Sequence, residues 1–317
     1  MKENLMSKPT IVVVGSSNTD MVMKADHLPV PGETILGGEF VMAAGGKGAN
    51  QAVAAARLGG SVVFISRVGD DSLGRQAIEG YANEGIDTSF ILADPEKPTG
   101  VALILVDDKG ENVISVASGA NYNLSPADVN RAKTLIQSAA MIVMQLETPL
   151  PTIAEAAKIA AAAHVPVILD PAPAPSEPLS AEILAHITYI KPNETEASRL
   201  TGIDVTDENS AYRAAQKLIA LGPKAVIVTL GKDGSLVVEA GKEPVLVPSK
   251  NVAAIDATAA GDCYSGALAV ALAEGKPLVE AARFASAAAA LSVTRLGAQP
   301  SLPRRDEIQD EERPSRG

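Results

Sequence analysis

The sequence has no tryptophan, only 3% aromatic residues, one cysteine and three histidines in 317 residues. A single thiol, Cys263, excludes an internal disulfide framework. His27, His164 and His186 show no metal-ligand spacing, which argues against a zinc or histidine-based enzyme and places them at the surface or at element ends. With so few rings the core must be aliphatic and rich in alanine. Positive charge is also scarce: 27 Lys and Arg stand against 38 Asp and Glu, a formal charge of −11, whereas a nucleic-acid surface normally shows a basic stripe. No apolar run approaches the roughly 18 residues of a membrane-spanning helix, and residues 1–9 lack the apolar centre of a signal peptide. The expectation is a cytoplasmic protein without nucleic-acid or membrane partners.

What the chain does have is glycine and alanine in patterned runs. The segment Asp256-Ala257-Thr258-Ala259-Ala260-Gly261-Asp262 leads straight into the apolar stretch 263–273. Small residues let a ligand approach the backbone, and a helix starting here aims unpaired N–H groups and a positive dipole end at it, which suits a phosphate. Asp262 at that mouth has two readings. It is either an ordinary helix cap or a carboxylate beside a transferable phosphoryl group, placed to take the proton of an attacking hydroxyl. A second turn, Gly45-Gly46-Lys47-Gly48-Ala49-Asn50-Gln51, opens another small-residue helix, with Lys47 and Asn50 offering side-chain hydrogen bonds. Two such turns imply two ligands.

Hydrophobic residues make up 46% and charged residues 21%, the profile of a globular chain long enough for one large α/β domain with a small appendage. Strand-length apolar runs at 11–14, 62–66, 141–145, 165–169, 189–190 and 225–229 alternate with helical patterns at 73–84, 126–137, 150–163 and 211–221. That alternation predicts βαβ units and a parallel sheet covered on both faces. Ligands gather beyond the carboxyl ends of such strands, where Asn18, Asp20, Glu147, Asp170, Asn193 and Thr229 fall. Residues 20–42 and 99–118 break the pattern with strand-like runs and no helix, the second predicting a hairpin that turns at Lys109-Gly110. Neither a P-loop nor G-x-G-x-x-G occurs, so any nucleotide is bound by another route.

The GGKGANQA run at 45–52, Gly-Ser-Ser-Asn-Thr-Asp at 15–20 and AAGD at 259–262 together resemble the ribokinase branch of the PfkB carbohydrate kinases. Further matches stand in family order: Pro31-Gly32-Glu33-Thr34, Met144-Gln145-Leu146-Glu147, Asp170-Pro171-Ala172-Pro173-Ala174, Pro192-Asn193-Glu194-Thr195-Glu196, Thr229-Leu230-Gly231 and Gly297-Ala298-Gln299-Pro300-Ser301. The resemblance covers residues 11–303. It implies a ribokinase-like, three-layer, doubly wound and mainly parallel sheet with a small β-sheet lid. The kinase domain would comprise residues 10–19, 43–98 and 119–303, the lid 20–42 and 99–118 of the same chain, and flexible tails 1–9 and 304–317.

By the same resemblance, the reaction is ATP-dependent phosphorylation of D-ribose at O5, with Asp262 as general base and Ala259, Ala260 and Gly261 as the anion hole. The sugar would meet Asn18, Asp20, Gly46, Lys47, Gly48, Asn50 and Asp262 under the lid. Acceptors and donors in that mixture suit a polyol, and no Arg lies in or beside these turns in sequence to clamp a phosphosugar. Glu147 either reaches the same sugar or caps the helix that follows it. ATP is placed along Asn193, Glu196, Thr229, Gly231, Gly234 and Ser286, with its phosphates directed at Gly261.

Magnesium would accompany ATP through waters organised by Glu196, a residue that equally suits a helix N-terminus by its charge. Potassium is expected as activator at Asp256, Thr258, Ser292, Arg295, Gly297 and Ser301, several of them through backbone carbonyls, and a homodimer is expected through the lid. Three positions depart from the family pattern: Ala257 and Cys263 where Thr is frequent, and Ser286 where an adenine-contacting His is often found. Cys263 is either a reactive thiol at a helix N-terminus or a buried inert residue. Alternatives on the same fold are a kinase for another sugar or nucleoside, such as deoxyribose, and a non-catalytic sugar sensor.

Overall fold

The computed structural model of the chain describes residues 8–175 and 177–312, so residues 1–7 and 313–317 of the tails expected at 1–9 and 304–317 lie outside the described residues. Runs of β-branched and aliphatic residues form the strands β1 (Thr10–Val14), β2 (Asn18–Lys24), β3 (Glu39–Gly45), β4 (Ser61–Gly69), β5 (Ile91–Asp94), β6 (Gly100–Val106) and β7 (Asn112–Ala117). They continue with β8 (Met141–Met144), β9 (Val167–Leu169), β10 (Tyr189–Ile190), β11 (Ala225–Thr229), β12 (Ser235–Glu239) and β13 (Val245–Val247). Nine of them make one sheet in the order β13, β12, β11, β10, β9, β8, β1, β4, β5. All neighbours from β11 to β5 pair in parallel, while β12 and β13 return antiparallel as an edge meander.

Helices close both faces: α1 (Lys47–Arg57), α2 (Ser72–Asn83), α3 (Pro126–Arg131), α4 (Lys133–Ser138), α5 (Leu150–Ala162), α6 (Ala181–Leu184), α7 (Glu194–Thr201), α8 (Glu208–Ile219), α9 (Ala260–Ala273), α10 (Leu278–Ser292) and α11 (Arg305–Glu312). Strand β1 shows why two cores form. Side chains alternate along a strand, so Ile11 and Val13 join one cluster with α1, α9 and α10, while Val12 and Val14 join the other with α5 and α8. Most alanines on α1, α9 and α10 are buried, and their small side chains let these helices lie close together. No helix among the described residues is long and apolar enough to cross a membrane.

The remaining four strands form a separate sheet in the order β3, β2, β6, β7. Two antiparallel hairpins supply it, β2–β3 and β6–β7, and a parallel β2–β6 ladder joins them. The second hairpin turns where expected, with Asp107 Oδ1 accepting from the N–H of Lys109 and of Glu111 at 2.9 Å each. Sheet pairing starts at Asn18 and ends at Gly45, so this layer is longer than the 20–42 segment read from sequence.

Two further expectations change. The single helix expected at 126–137 is two short helices broken at Ala132, whose backbone leaves the helical region at φ −96°, ψ 11°. Residues 305–312 are helical rather than a flexible tail: Arg305 pairs with Glu274 and donates to the Leu58 carbonyl at 2.9 Å, and Ile308 is 1% exposed.

Candidate active site

Helices α1 and α9 begin side by side beyond the carboxyl ends of the parallel strands, and their first turns carry the two motifs. Gly46 precedes α1 with φ 88°, a conformation that favours glycine, and a Cβ at Gly48 would lie 2.6 Å from the backbone of Gly15 and Ser16. These glycines thus seat α1 against the β1–β2 turn. The expected role for small residues was close approach of a ligand; here the close approach is by the chain itself.

Glu147 fixes the same corner. Its Oε2 accepts from Ser16 Oγ at 2.5 Å and from the Lys47 N–H at 3.0 Å. It therefore caps α1 and not α5, whose N-cap Pro149 receives no side-chain bond. On β2, Asn18 is buried, and its Oδ1 accepts from Asn121 Nδ2 at 2.7 Å. Asp20, also on β2, is pushed up to about 6 by burial, with the Glu147 and Asp262 carboxylates adding to the effect.

Asp262 lies in the first turn of α9 and is 5% exposed. It does not cap the helix, since α9 has no side-chain cap bond. Its Oδ2 accepts from Asn50 Nδ2 at 2.9 Å and its Oδ1 from Gln51 Nε2 at 3.0 Å. Burial raises its pKa against the opposing pull of Lys47, and Asp170 raises it further. Lys47 answers in kind: the Asp262 charge holds its ammonium more firmly protonated, although burial works the other way.

Ala259 turns the chain into α9 from the left-handed region at φ 59°. Of the anion hole expected at Ala259, Ala260 and Gly261, the Ala260 N–H is taken by the Ala257 carbonyl at 3.2 Å, whereas the Gly261 N–H, and beside it that of Asp262, has no backbone partner among the described residues.

From this point a cleft of about 800 Å³ runs along the ends of β9, β10 and β11. Asn193, Glu196, Thr229, Gly231, Gly234, Gly261 and Ser286, all expected on the nucleotide path, line it, and Lys47 and Asp262 close one end. The matching span of the profile for the pfkB family of carbohydrate kinases is residues 8–305. The chain belongs to this family.

Ribokinase of Haemophilus influenzae is 47% identical over 300 residues, covering 95% of this chain and 97% of the relative. Ribokinase of Bacillus subtilis is 41% identical, covering 95% and 98%. Among solved structures, Arabidopsis thaliana ribokinase complexed with ribose and ATP superposes with a TM-score of 0.88 at 35% identity, covering 96% of this chain and 98% of that one. The two-sheet architecture is thus the ribokinase-like α/β fold.

Several residues of this pfkB-family site were not singled out as site residues in the sequence. Gln51 bridges Asp262 and Asp170, donating to each at 3.0 Å. Asp170 is 2% exposed, receives Ser265 Oγ at 2.9 Å and pairs with Lys191 Nζ at 3.2 Å. Both Asp170 and Lys191 line the cleft. Asn121 orients Asn18. Their signal was faint: Gln51 and Asp170 stood inside quoted motifs, whereas nothing local marked Lys191 or Asn121.

Glu196 makes a capping box with Asn193, accepting from its N–H at 2.8 Å, so its helix-start reading has a concrete form. Burial raises its pKa, with Asp170 adding and Lys191 opposing.

The residues expected around potassium are only partly drawn together. Asp256 accepts from Thr258 N–H at 2.9 Å, Thr258 Oγ1 at 2.6 Å and Gly297 N–H at 2.8 Å. Burial works to raise its pKa, but these donors lower it on balance. Ser292 and Ser301 turn their hydroxyls to the Ala289 and Ala298 carbonyls, and Arg295 pairs with Glu307. Cys263 is fully buried, and burial pushes its thiol up to about 12 against the Ser292 hydrogen bond, which favours the inert reading.

Proposed function

We propose that this chain is an ATP-dependent ribokinase: it transfers the γ-phosphoryl group of ATP to O5 of D-ribose, giving D-ribose 5-phosphate and ADP. The observation that carries this reading is a buried carboxylate, Asp262, at the junction between the cleft that holds every expected nucleotide residue and the α1 turn that holds the polyol-binding groups. Two buried acceptors without partners among the described residues, Asn50 Oδ1 and Asp170 Oδ1, support a hydroxylated or hydrated ligand, because leaving either unpaired costs about 1–3 kcal/mol.

The sugar is held by Asn18, Asp20, Lys47, Asn50 and Glu147, with Gly46 and Gly48 shaping the turn. Asp262 takes the proton of the C5 hydroxyl as O5 attacks the γ-phosphorus. The new O5–P bond forms as the bond to the β-phosphate oxygen breaks, and ADP leaves. With a loose transition state, alignment matters more than a strong base. The free N–H groups of Gly261 and Asp262 face charge building on the phosphoryl oxygens.

Magnesium would be held with ATP through Glu196 and the unpartnered Asp170 Oδ1, and would supply neutralisation of phosphate charge. Potassium would sit by the 256–262 turn. Backbone carbonyls would supply several of its ligands and Asp256 the charge, while Ser292 and Ser301 donate their hydroxyl hydrogens to carbonyls and Arg295 pairs with Glu307. The chain pairs as a homodimer through the four-stranded sheet and works in the cytoplasm.

The test is ADP release from Mg-ATP with D-ribose, 2-deoxyribose, fructose, fructose 6-phosphate and adenosine, in potassium and in sodium. Ribose-dependent turnover, faster in potassium, is expected, and Asp262→Asn should lower kcat by roughly 10²–10⁴ while leaving the fold intact. Ribose binding without turnover would favour a sensor, and an undiminished Asp262→Asn enzyme would remove Asp262 as base.

A further inference from the structure

We infer that Gln51 is a positioning residue for phosphoryl transfer, holding the Asp262 carboxylate as an aimed anion through an amide that it shares with Asp170. The inference rests on the reading of Asp262 as general base. Gln51 is fully buried on α1, and its amide makes three side-chain hydrogen bonds. One amide hydrogen goes to Asp262 Oδ1 and the other to Asp170 Oδ2, each at 3.0 Å. Its carbonyl Oε1 accepts from Gln145 Nε2 at 2.7 Å. A flipped amide would set a carbonyl against two carboxylates and one NH2 group against another, so the orientation has no alternative.

A buried glutamine is often no more than a satisfied core amide. Here both donors end on carboxylates, and one of these is the proposed base. Burial drives Asp262 toward its neutral form, in which it cannot accept a proton. The ionisable groups around it are Lys47 on α1, Asp20 on β2, Asp170 and Lys191 past the ends of β9 and β10, and Cys263 on its own helix. Lys47 and the amides of Asn50 and Gln51 favour the anion; Asp20 and Asp170 oppose it. Among the described residues Gln51 is the one side chain that hydrogen-bonds both Asp262 and the opposing Asp170, so its loss removes a donor from each and the bridge between them.

The experiment compares wild type with Gln51→Met and with Gln51→Met/Gln145→Met, the double variant sparing Gln145 a stranded donor. It reads kcat, ribose KM, thermal stability and the pH profile of kcat. Both variants should lose roughly 10- to 100-fold in kcat at pH 7, while ribose KM stays within about threefold. The acid limb of kcat should move up by about one pH unit, so that activity recovers in part at alkaline pH.

An acid limb in the wild-type position, or a loss carried by ribose KM instead of kcat, would overturn the role. If neither variant folds, Gln51 serves the core and the assignment falls. Wild type without ribose-dependent turnover would sink the kinase reading itself, whereas active wild type with an unmoved acid limb sinks only the role of Gln51.

Discussion

Asp20 carries a charge that the fold resists. Its folded pKa of about 6 lies above the ordinary 3.8, so the native state holds a proton there that the unfolded chain releases. Stability from that difference is present at low pH and is lost as pH rises toward and through 6, reaching a penalty of roughly 3 kcal/mol or less at neutral pH. Asp20→Asn should therefore raise Tm at pH 7.5, with the gain fading by pH 4, and should weaken ribose binding more at pH 7.5 than at pH 4, where the wild-type carboxyl is already protonated. A lower Tm at pH 7.5 would contradict the sign. In wild type, ribose KM should climb as pH falls below about 6, because a protonated Asp20 is a poorer acceptor for sugar hydroxyls.

Helix α1 acts as a unit because its first turn is wedged against the β1–β2 turn. A Cβ at Gly48 meets backbone atoms of Gly15 and Ser16, which have no side-chain freedom to yield. Gly48→Ala should shift Lys47, Asn50 and Gln51 together and cost on the order of 100-fold in kcat/KM. Gly80 on α2 offers the control: a Cβ there meets nothing within 4 Å, and Gly80→Ala should gain about 0.5–1 kcal/mol in stability with unchanged kcat/KM. Equal kinetic effects from both would show that α1 is not specially seated.

At this scale the sequence was readable where periodicity and small-residue turns are local: the strands, most helices and both glycine-rich turns. It was unreadable where partners come from afar. Gln51 and Asp262 are separated by 211 residues, and Asn18 and Asn121 by 103. Helix α11 escaped because its sequence is mostly charged and a single apolar residue, Ile308, anchors it.

On the whole molecule, the four-stranded sheet stands out by its exposed apolar residues. Phe40, Val41 and Met42 are 57%, 56% and 45% exposed, and alternation along β3 means they cannot all share one face. Leu103, Val113 and Ile114 continue both surfaces on β6 and β7. A monomer rarely leaves so much apolar area open, which supports the proposed pairing. Sedimentation should give a dimer for wild type, and Phe40→Lys or Ile114→Lys, one on each face, should shift it to monomer according to which face is covered. A wild-type monomer at all concentrations would refute the pairing.

The ladder joining β2 to β3 and β6 is seven residues long, about 20 Å, with Asn18 at its inner end and Lys24 at its outer end. If Asn18 and Asp20 hold the sugar as proposed, a small tilt at that end would become a larger sweep at Phe40 and Val113, which pair near the outer end of the ladder. Coupling of this kind works in both directions. Whatever grips the outer arm should tighten or loosen the hold on sugar without touching it, and ribose affinity measured above and below the dimer dissociation constant should differ.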